Sequence, residues 1–144
     1  MKDRFQAFMT GISTCYKSIQ RIKTMEMTEF GLKGAHAMCL VFLHNHPQGL
    51  TAAQLCQLCA EDKAAISRTV AQLIEKGYVY AGEKKYRAQL MLTETGRELA
   101  VKMDAVIEQW VGCGGEGLSD AERGAFYHAL ESISNNLQHR LAEA

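Results

Sequence analysis

The amino-acid sequence predicts a mainly α-helical fold with one small β-hairpin, and three observations lead to that prediction. The 144-residue chain contains a single proline, so its long segments are free of the residue that most strongly breaks helices. Apolar side chains recur at spacings of three and four along most of the chain, which is the period of an amphipathic helix. Near residues 78–92 the period changes to the alternation that is typical of a strand.

Composition narrows the class of protein. Hydrophobic residues make up 47% of the chain, and 16 basic side chains balance 16 acidic ones, which excludes intrinsic disorder. No apolar run approaches the ~20 residues that a membrane helix needs, so we expect no membrane partner. The N-terminal residues follow the pattern of an amphipathic helix rather than that of a signal peptide. We therefore expect a cytoplasmic protein whose five cysteines are reduced thiols.

The net charge of zero hides an uneven distribution. Residues 63–97 carry seven basic and three acidic side chains, whereas residues 98–144 carry three basic and eight acidic ones. A basic middle segment can present a positive surface to a polyanion even in a neutral protein. Ordinary scatter of charges along a chain would give a similar count, so charge alone leaves both interpretations open.

Two helices are predicted at the start of the chain. The apolar period places the first at about residues 3–28, closed by Gly31. The second covers about residues 33–46 and is stopped by Pro47.

Two further helices are predicted to follow, separated by a three-residue turn. Thr51 and Gln54 form a capping box at the start of the third helix, which covers about residues 51–59. The fourth covers about residues 62–76, and Gly77 stands where a left-handed residue is favoured after a helix. The core side of the fourth helix is predicted to consist of Ile66, Val70, Leu73 and Ile74.

The hairpin and two more helices complete the predicted order of elements. Tyr78-Val79-Tyr80 and the alternating residues 86–92 form two short strands joined by a basic tip. Thr93 caps a fifth helix that Gly112-Cys-Gly-Gly-Glu-Gly117 interrupts. Ser119-Asp-Ala-Glu122 is a capping box that opens a sixth helix toward residue 141.

This order predicts a winged helix-turn-helix. Two helices joined by a short turn form a helix-turn-helix, and the hairpin after them supplies the wing. The second of the two can enter a DNA major groove, which is roughly 12 Å wide. A solvated amphipathic helix would show the same pattern, so the pattern by itself does not decide the function. The residues predicted to face outward on this helix are Lys63, Ala64, Ser67, Arg68, Ala71 and Gln72.

Several spaced motifs resemble the MarR family of bacterial transcriptional regulators. They are Gly31-Leu-Lys-Gly-Ala-His36, Leu50-Thr51-Ala-Ala-Gln-Leu55, Asp62-Lys-Ala-Ala-Ile-Ser67-Arg68, Leu73-Ile-Glu-Lys-Gly77-Tyr-Val79 and Leu92-Thr93-Glu-Thr-Gly96-Arg97. The resemblance implies a homodimeric winged-helix regulator that binds double-stranded DNA at a pseudo-palindromic operator and that a small molecule or an oxidant often releases. It also implies a single domain over residues 1–144. In this domain about residues 33–93 form the DNA-binding core, and about 1–30 and 94–144 form dimerisation helices.

The predicted DNA contacts fall into two groups. We expect the fourth helix to lie in the major groove, and a second group to hold phosphate or the minor groove. The first group is Lys63, Ala64, Ser67 and Arg68, and the second is Thr51, Lys84, Lys85 and Arg87.

Two features depart from the family's pattern. Members commonly carry Asp-x-Arg in the wing, where this sequence has Lys84 and Tyr86. In the turn before the fourth helix, Ala60-Glu61 stands where Gly-Val is common.

The cysteines allow more than one interpretation. Cys56 and Cys59 form a Cys-x-x-Cys, which suggests redox or zinc chemistry, but no second cysteine or histidine pair follows at zinc-finger spacing. They also lie where the family places core residues, so we predict structural thiols and no metal site. Redox activity and metal binding remain the alternatives.

A small-molecule effector is the other ligand that the resemblance implies. We predict Met25, His36, Cys39 and Trp110 as residues of its pocket. The resemblance places His36 where the first, second and fifth helices meet in this family, and methionine-rich surfaces adapt to ligands. A histidine with satisfied hydrogen bonds and an ordinary dimer core are the alternatives at these positions.

No catalytic motif is present, and we expect neither enzymatic activity nor a cofactor. The glycine-rich segment 112–117 lacks the Lys-Ser/Thr of a phosphate-binding loop, and no nucleophile has motif support. The function predicted from sequence is that of a homodimeric, ligand-responsive repressor. The alternatives are a thiol- or metal-responsive sensor of the same fold and a winged-helix protein-interaction module without DNA binding.

Overall fold

The structure, a computed structural model, describes residues 2–83 and 88–144. In these residues the chain forms six α-helices and one two-stranded antiparallel sheet, which confirms the predicted fold class. The elements in chain order are α1 (Lys2–Thr28), α2 (Gly34–Asn45), α3 (Ala52–Cys59), α4 (Lys63–Glu75), β1 (Val79–Ala81), β2 (Leu90–Leu92), α5 (Glu94–Gly114) and α6 (Asp120–Ala142).

The chain divides into two compact units, Met1–Val106 and Ile107–Ala144. The first unit contains α1 to α4, the hairpin and the first part of α5. The second contains the end of α5 and the whole of α6. The helix-turn-helix therefore lies entirely in the first unit.

α2 is the central element of the first unit. It contacts α1, α3, α4 and β2, so the core forms around its apolar side chains. Complete burial of a large aliphatic side chain contributes about 1.5–3 kcal/mol to folding. The buried side chains around α2 hold the helix-turn-helix against it. The largest fully buried side chains are Met27, Cys39, Leu40, Leu55, Leu73 and Val79.

The wing is short and is attached to the helix-turn-helix by backbone hydrogen bonds. β1 pairs with β2 in the register Val79↔Leu92 to Ala81↔Leu90. Leu50, just before α3, exchanges two backbone hydrogen bonds of 2.8 and 3.1 Å with Leu90. The entry to α3 and the wing therefore form one hydrogen-bonded layer.

The second strand is shorter than the alternation predicts. It begins at Leu90 rather than in the stretch that starts at residue 86, and Ala88 and Gln89 are outside the strand. The paired register ends at Ala81↔Leu90, and one further backbone hydrogen bond follows it, from the Gly82 N–H to the Gln89 carbonyl at 2.8 Å. Residues 84–87, on which the predicted basic tip falls, lie outside the described residues.

The junction between the wing and α5 requires a glycine. The hydroxyl of Thr93 accepts the Gly96 N–H at 3.0 Å and donates to the Gly77 carbonyl at 2.6 Å. This places the start of α5 directly against the backbone of Tyr78, and a Cβ at position 96 would overlap the Tyr78 carbonyl oxygen. The predicted cap at Thr93 is confirmed, and so is the left-handed conformation of Gly77, with φ of +81°.

The second unit presents helix surface rather than a core. Ser119 and Glu122 form the predicted capping box at the start of α6, and their hydrogen bonds lower the pKa of the Glu122 carboxyl. None of the residues of α6 is buried. α5 continues to Gly114, beyond the predicted interruption at Gly112, because glycine weakens a helix without forbidding it.

None of the described helices combines the length and the apolar character that spanning a membrane would require.

Candidate nucleic-acid interface

The turn between α3 and α4 fixes where the recognition helix, α4, begins. Ala60 ends α3 in the left-handed conformation, with φ of +52°. The Asp62 carboxylate then accepts the backbone N–H of Ala65 at 2.7 Å, so α4 has a side-chain cap at its first turn. The predicted three-residue turn is present, and α3 and α4 pack against each other.

One face of α4 points to solvent and the opposite face enters the core. The buried side is formed by Ile66, Thr69, Val70 and Leu73. All six residues that were predicted to face outward are exposed, namely Lys63, Ala64, Ser67, Arg68, Ala71 and Gln72.

The prediction that Ile74 belongs to the buried side of α4 is wrong. Ile74 is 43% exposed, whereas Thr69, which the apolar pattern passes over, is 7% exposed. At 3.6 residues per turn, Ile74 lies about 80° around the helix from Ile66, at the edge of the buried stripe. Thr69 lies nearer the centre of that stripe, so its position rather than its polarity decides its burial.

The exposed face of α4 carries positive charge that is not neutralised by a neighbour. Among the described residues, neither Lys63 nor Arg68 forms an ion pair. The first turn of a helix also presents unpaired backbone N–H groups and the positive end of its dipole. At α4 the Asp62 carboxylate takes up one of these N–H groups, and the remaining ones, together with Lys63 and Arg68, favour an anion.

Thr51 begins α3 and has only part of its hydrogen-bonding capacity free. Its backbone N–H donates to the Gln54 side chain at 2.9 Å, and its hydroxyl accepts the Gln54 N–H at 3.2 Å. The hydroxyl hydrogen remains able to donate to another group. The predicted wing contacts Lys84, Lys85 and Arg87 lie outside the described residues.

A concave groove lies between α3, α4 and the wing. Its volume is about 800 Å³, and small side chains such as Ala52, Ala53, Ser67 and Ala71 line much of it. Small residues allow a partner to approach the two helices closely. The exposed Ile74 also lines this groove.

A hydrogen bond that the sequence pattern does not reveal connects α2 to the recognition helix. The Nδ1 atom of His36 accepts the Lys33 N–H at 2.7 Å, so Nε2 carries the ring hydrogen and donates to the Gln72 side-chain oxygen at 2.8 Å. His36 is 3% exposed, so both ring nitrogens are satisfied in a buried environment. His36 therefore matches the alternative interpretation, a buried histidine whose hydrogen bonds are made within the protein.

The residues predicted to form an effector pocket occupy different environments. His36 and Cys39 are buried on α2, while Met25 is exposed on α1. Trp110 belongs to the second unit. The effector pocket therefore stays a prediction.

The cysteine contact is not the one that the Cys-x-x-Cys motif suggests. The Cys59 sulfur lies 4.0 Å from that of Cys39 on α2, whereas Cys56 is one turn away on the same helix as Cys59. Within residues 2–83 and 88–144, no three histidine, cysteine or acidic side chains form a group that would hold a metal ion.

Comparison with known proteins identifies the segment that contains this interface. Residues 30–85 match the profile of the MarR family. This segment is similar to members of that family. It contains α2, α3, the recognition helix and β1. No curated protein sequence matches the chain at a significant level.

Solved structures of MarR-family proteins share the fold over most of the chain. A protein from Listeria monocytogenes described as a MarR-family transcriptional regulator, complexed with a 26mer DNA, is 21% identical with a TM-score of 0.84. The aligned region covers 90% of this chain and 87% of the Listeria protein's chain. A MarR transcriptional regulator from Methanosarcina mazei is 22% identical with a TM-score of 0.79, over 92% and 91% of the two chains. MepR from S. aureus, in its DNA-binding conformation, is 16% identical with a TM-score of 0.83, over 90% and 98%. At these identities the similarity establishes the fold, a MarR-type winged helix-turn-helix.

Proposed function

We propose that the protein is a homodimeric, sequence-specific DNA-binding repressor of transcription that responds to a small-molecule effector. The observation that carries the proposal is the exposed, unpaired positive face of α4, which begins at Lys63 and includes Arg68, within a MarR-family helix-turn-helix. Such a regulator acts on the chromosome, so the proposal includes a cytoplasmic location.

The recognition helix supplies the contacts that read sequence. Arg68 lies one turn into α4, where a guanidinium pairs with the O6 and N7 atoms of a guanine or with a phosphate. Lys63 stands at the first helical position and meets a base edge or the backbone. Ala64 and Ser67 are small enough to let the helix approach the bases. The similar protein from Listeria monocytogenes is in complex with DNA, which supports this use of the fold.

Other residues position the protein on the duplex without reading sequence. The free hydroxyl hydrogen of Thr51 donates to a phosphate oxygen at the start of α3. Lys84, Lys85 and Arg87 lie between β1 and β2 in the sequence, and we propose phosphate or the minor groove as their partner. Contacts of this kind set the affinity and its salt dependence rather than the sequence preference.

Exposed apolar side chains support a homodimer. α1 leaves Phe5 66% exposed together with Ile12 and Ile19, and α6 leaves Leu137 55% exposed together with Phe126. Apolar surface on this scale marks an interface in a globular protein. A second copy of the chain covers apolar surface of this kind through a two-fold interface, and the dimer then presents two recognition helices to a pseudo-palindromic site.

Selection of binding sites from a random double-stranded DNA library tests the proposal, because the selection does not require the operator sequence as an input. We expect enrichment of a near-palindrome whose half-site centres lie about one helical turn, or 34–36 Å, apart. The Arg68→Ala variant, selected in parallel, loses preference at one position in each half-site if the guanidinium reads a base. Absence of any enriched sequence with the wild-type protein would contradict the proposal and leave the protein-interaction module as the interpretation.

A further inference from the structure

The buried imidazole of His36 fixes which part of the Gln72 side chain is available to a partner. The backbone N–H of Lys33 lies 2.7 Å from Nδ1, and because an N–H can only donate, Nδ1 is the acceptor and Nε2 carries the hydrogen. Only the oxygen of the Gln72 amide, 2.8 Å away, can accept that hydrogen. The amide is therefore held with its oxygen toward α2 and its NH2 group turned away from His36.

The NH2 group of Gln72 is left as a pair of unused donors. Gln72 is exposed, and within the described part of the chain its side-chain nitrogen makes no hydrogen bond. A glutamine that is free to orient itself pairs with adenine through both its oxygen and its nitrogen. The oxygen of Gln72 is turned toward α2 instead, so this side chain offers donors to a partner that accepts, as a phosphate oxygen does.

We propose that Gln72 donates a hydrogen bond to a DNA phosphate and that His36 is the positioning residue that holds the amide in the donor orientation. This inference rests on the proposed function, because it concerns how α4 is seated in the major groove. It adds a contact that anchors the recognition helix without reading sequence, and it extends the interface to a buried residue of α2.

The place of Gln72 on α4 favours the wall of the groove over the base edges. Four residues separate it from Arg68, which turns its direction by about 40° around the helix, toward the side that packs on α2. It also lies nine residues beyond Lys63, or about 13.5 Å along the axis, whereas the N-terminal residues of a recognition helix contact the bases. Since the major groove is roughly 12 Å wide, a side chain on this flank meets the sugar-phosphate backbone.

The charges near Gln72 in the helix suit an anionic partner. Arg68 and Lys76 stand four residues before and after it, where side chains share one face of a helix, and Lys33 is exposed at the start of α2. None of these three cations forms an ion pair among the described residues. Glu75 is the acidic side chain within one turn of Gln72 on α4, so positive charge is in excess.

Two substitutions of Gln72 separate its accepting role from its donating role. Gln72→Glu keeps an oxygen for His36 and replaces the donor with a carboxylate that repels phosphate, whereas Gln72→Lys removes the acceptor and supplies a cationic donor. We expect Gln72→Glu to keep the urea midpoint of the wild type and to bind the selected DNA site at least about tenfold more weakly. We expect Gln72→Lys to unfold at a lower urea concentration and to bind at least as tightly as the wild type.

The same two substitutions at Gln57 are the matched controls. Gln57 is exposed on α3 and undergoes the same changes of charge. We expect Gln57→Glu and Gln57→Lys to change the DNA affinity by less than about threefold at about 0.15 M salt, where separated surface charges are largely screened. Equal effects of Gln72→Glu and Gln57→Glu would overturn the proposal, because a general change of charge would then account for the loss.

Rescue of DNA affinity tests the positioning role of His36. His36→Asn keeps an acceptor near the Nδ1 position for the Lys33 N–H but has no atom at the Nε2 position, so it releases the Gln72 amide. We expect about three- to tenfold weaker DNA binding. Adding Gln72→Lys should restore the affinity, because an ammonium group donates without being oriented by the imidazole. A loss that Gln72→Lys does not restore, in variants that circular dichroism shows to be folded, would refute the positioning role.

Nuclear magnetic resonance of the wild-type protein tests the same role without a substitution. The ring ¹⁵N shifts of His36 should report the tautomer with hydrogen on Nε2. The side-chain amide protons of Gln72 should shift when DNA is added, while those of Gln57 stay in place. A hydrogen on Nδ1, or a Gln72 amide that DNA leaves unchanged, would overturn the proposal.

Salt dependence and sequence selection identify the acceptor as phosphate. Gln72→Met removes a neutral donor, so it should weaken binding without changing the slope of log affinity against log salt, because no counterion contact is lost. The sequence enriched from a random library should stay the same as for the wild type. A changed base preference at one position of each half-site would contradict the phosphate contact.

Fluorescence anisotropy of the wild type and Gln72→Glu distinguishes this inference from the proposed function. A wild-type protein that binds no selected site refutes both. A wild-type protein that binds its site, with Gln72→Glu binding equally well, refutes this inference alone.

Discussion

His36 on α2 donates a hydrogen bond to Gln72 on α4 across 2.8 Å, so the central helix of the core is joined directly to the recognition helix. The histidine is buried and the glutamine is on the exposed face, which places one end of the bond in the core. The orientation of α4 therefore depends on a polar contact as well as on apolar packing.

Removal of the acceptor should destabilise the protein. The Gln72→Ala variant leaves the buried Nε2–H of His36 without a partner, which costs about 1–3 kcal/mol in the free energy of unfolding. Urea denaturation measures this decrease. Gln57→Ala is the matched control, because Gln57 is exposed on α3 and we expect a change within about 0.5 kcal/mol. Equal stability of the two variants would show that water replaces the Gln72 oxygen.

A glycine at the left-handed position should stabilise the helix-turn-helix. Ala60 has φ of +52°, a conformation that costs an L-residue about 1–2 kcal/mol, whereas glycine adopts it freely. After the greater chain entropy of glycine is subtracted, we expect Ala60→Gly to raise the free energy of unfolding by about 0.5–1 kcal/mol.

The same substitution inside a helix should have the opposite sign. Ala71→Gly, at an exposed position of α4, should lower the free energy of unfolding by about 1 kcal/mol. Thermal denaturation of the two variants measures both effects. A destabilised Ala60→Gly protein would contradict the strain assigned to this turn.

The close approach at the start of α5 should not tolerate a methyl group. Gly96→Ala places Cβ against the Tyr78 carbonyl and should cost at least about 2 kcal/mol, because the neighbouring atoms are backbone and must shift as a unit. Gly112→Ala is the control, since nothing lies within 4 Å of its added Cβ and alanine has the higher helix propensity. Chemical denaturation should separate the two variants in opposite directions. Similar stabilities would mean that the wing moves away from α5 at little cost.

Helix starts were predictable from sequence because their signals are local. The capping boxes of Thr51 with Gln54 and of Ser119 with Glu122 span three residues each, and both are present. Thr93 and Gly77 also act within one turn of the chain that they cap. The starts of α3, α5 and α6 lie within one residue of the positions that these signals predict.

The contacts between helices were beyond the reach of such patterns. Cys39 and Cys59 are 20 residues apart, and His36 and Gln72 are 36 apart, so nothing in local spacing joins them. The short-range Cys-x-x-Cys does not reveal the contact between Cys59 and Cys39. The burial of Thr69 was missed for a related reason. The sequence pattern selects apolar residues only, whereas tertiary packing decides which face of the helix is covered.

The proposed dimer should dissociate when a charge is introduced into its apolar surface. Leu137 is exposed on α6, so Leu137→Glu should weaken self-association at least tenfold by placing a carboxylate in an apolar interface. Gln138→Glu, at the neighbouring exposed position, adds the same charge without removing an apolar side chain. Analytical ultracentrifugation measures both. A wild-type protein that is a stable folded monomer at micromolar concentration would refute the proposed assembly.

The wing lysines should affect affinity without affecting sequence preference. Lys84→Ala or Lys85→Ala should weaken binding to every DNA sequence alike, because a phosphate contact carries no base information. The slope of log affinity against log salt should fall by about one for each phosphate contact that the substitution removes. A change in the selected sequence would indicate that these residues read bases instead.

The most direct test of DNA binding through α4 compares two alanine substitutions, each of which removes one positively charged side chain. Arg68→Ala removes the guanidinium from the recognition face, and Lys102→Ala removes an exposed cation from α5. Fluorescence anisotropy on the selected site, at several salt concentrations, should show a decrease of about 1–3 kcal/mol in binding free energy for Arg68→Ala, or roughly 5- to 150-fold in affinity. Lys102→Ala should stay within about twofold of the wild type. Equal, weak and salt-insensitive binding by all three proteins would contradict the assignment of α4 as the DNA-reading helix.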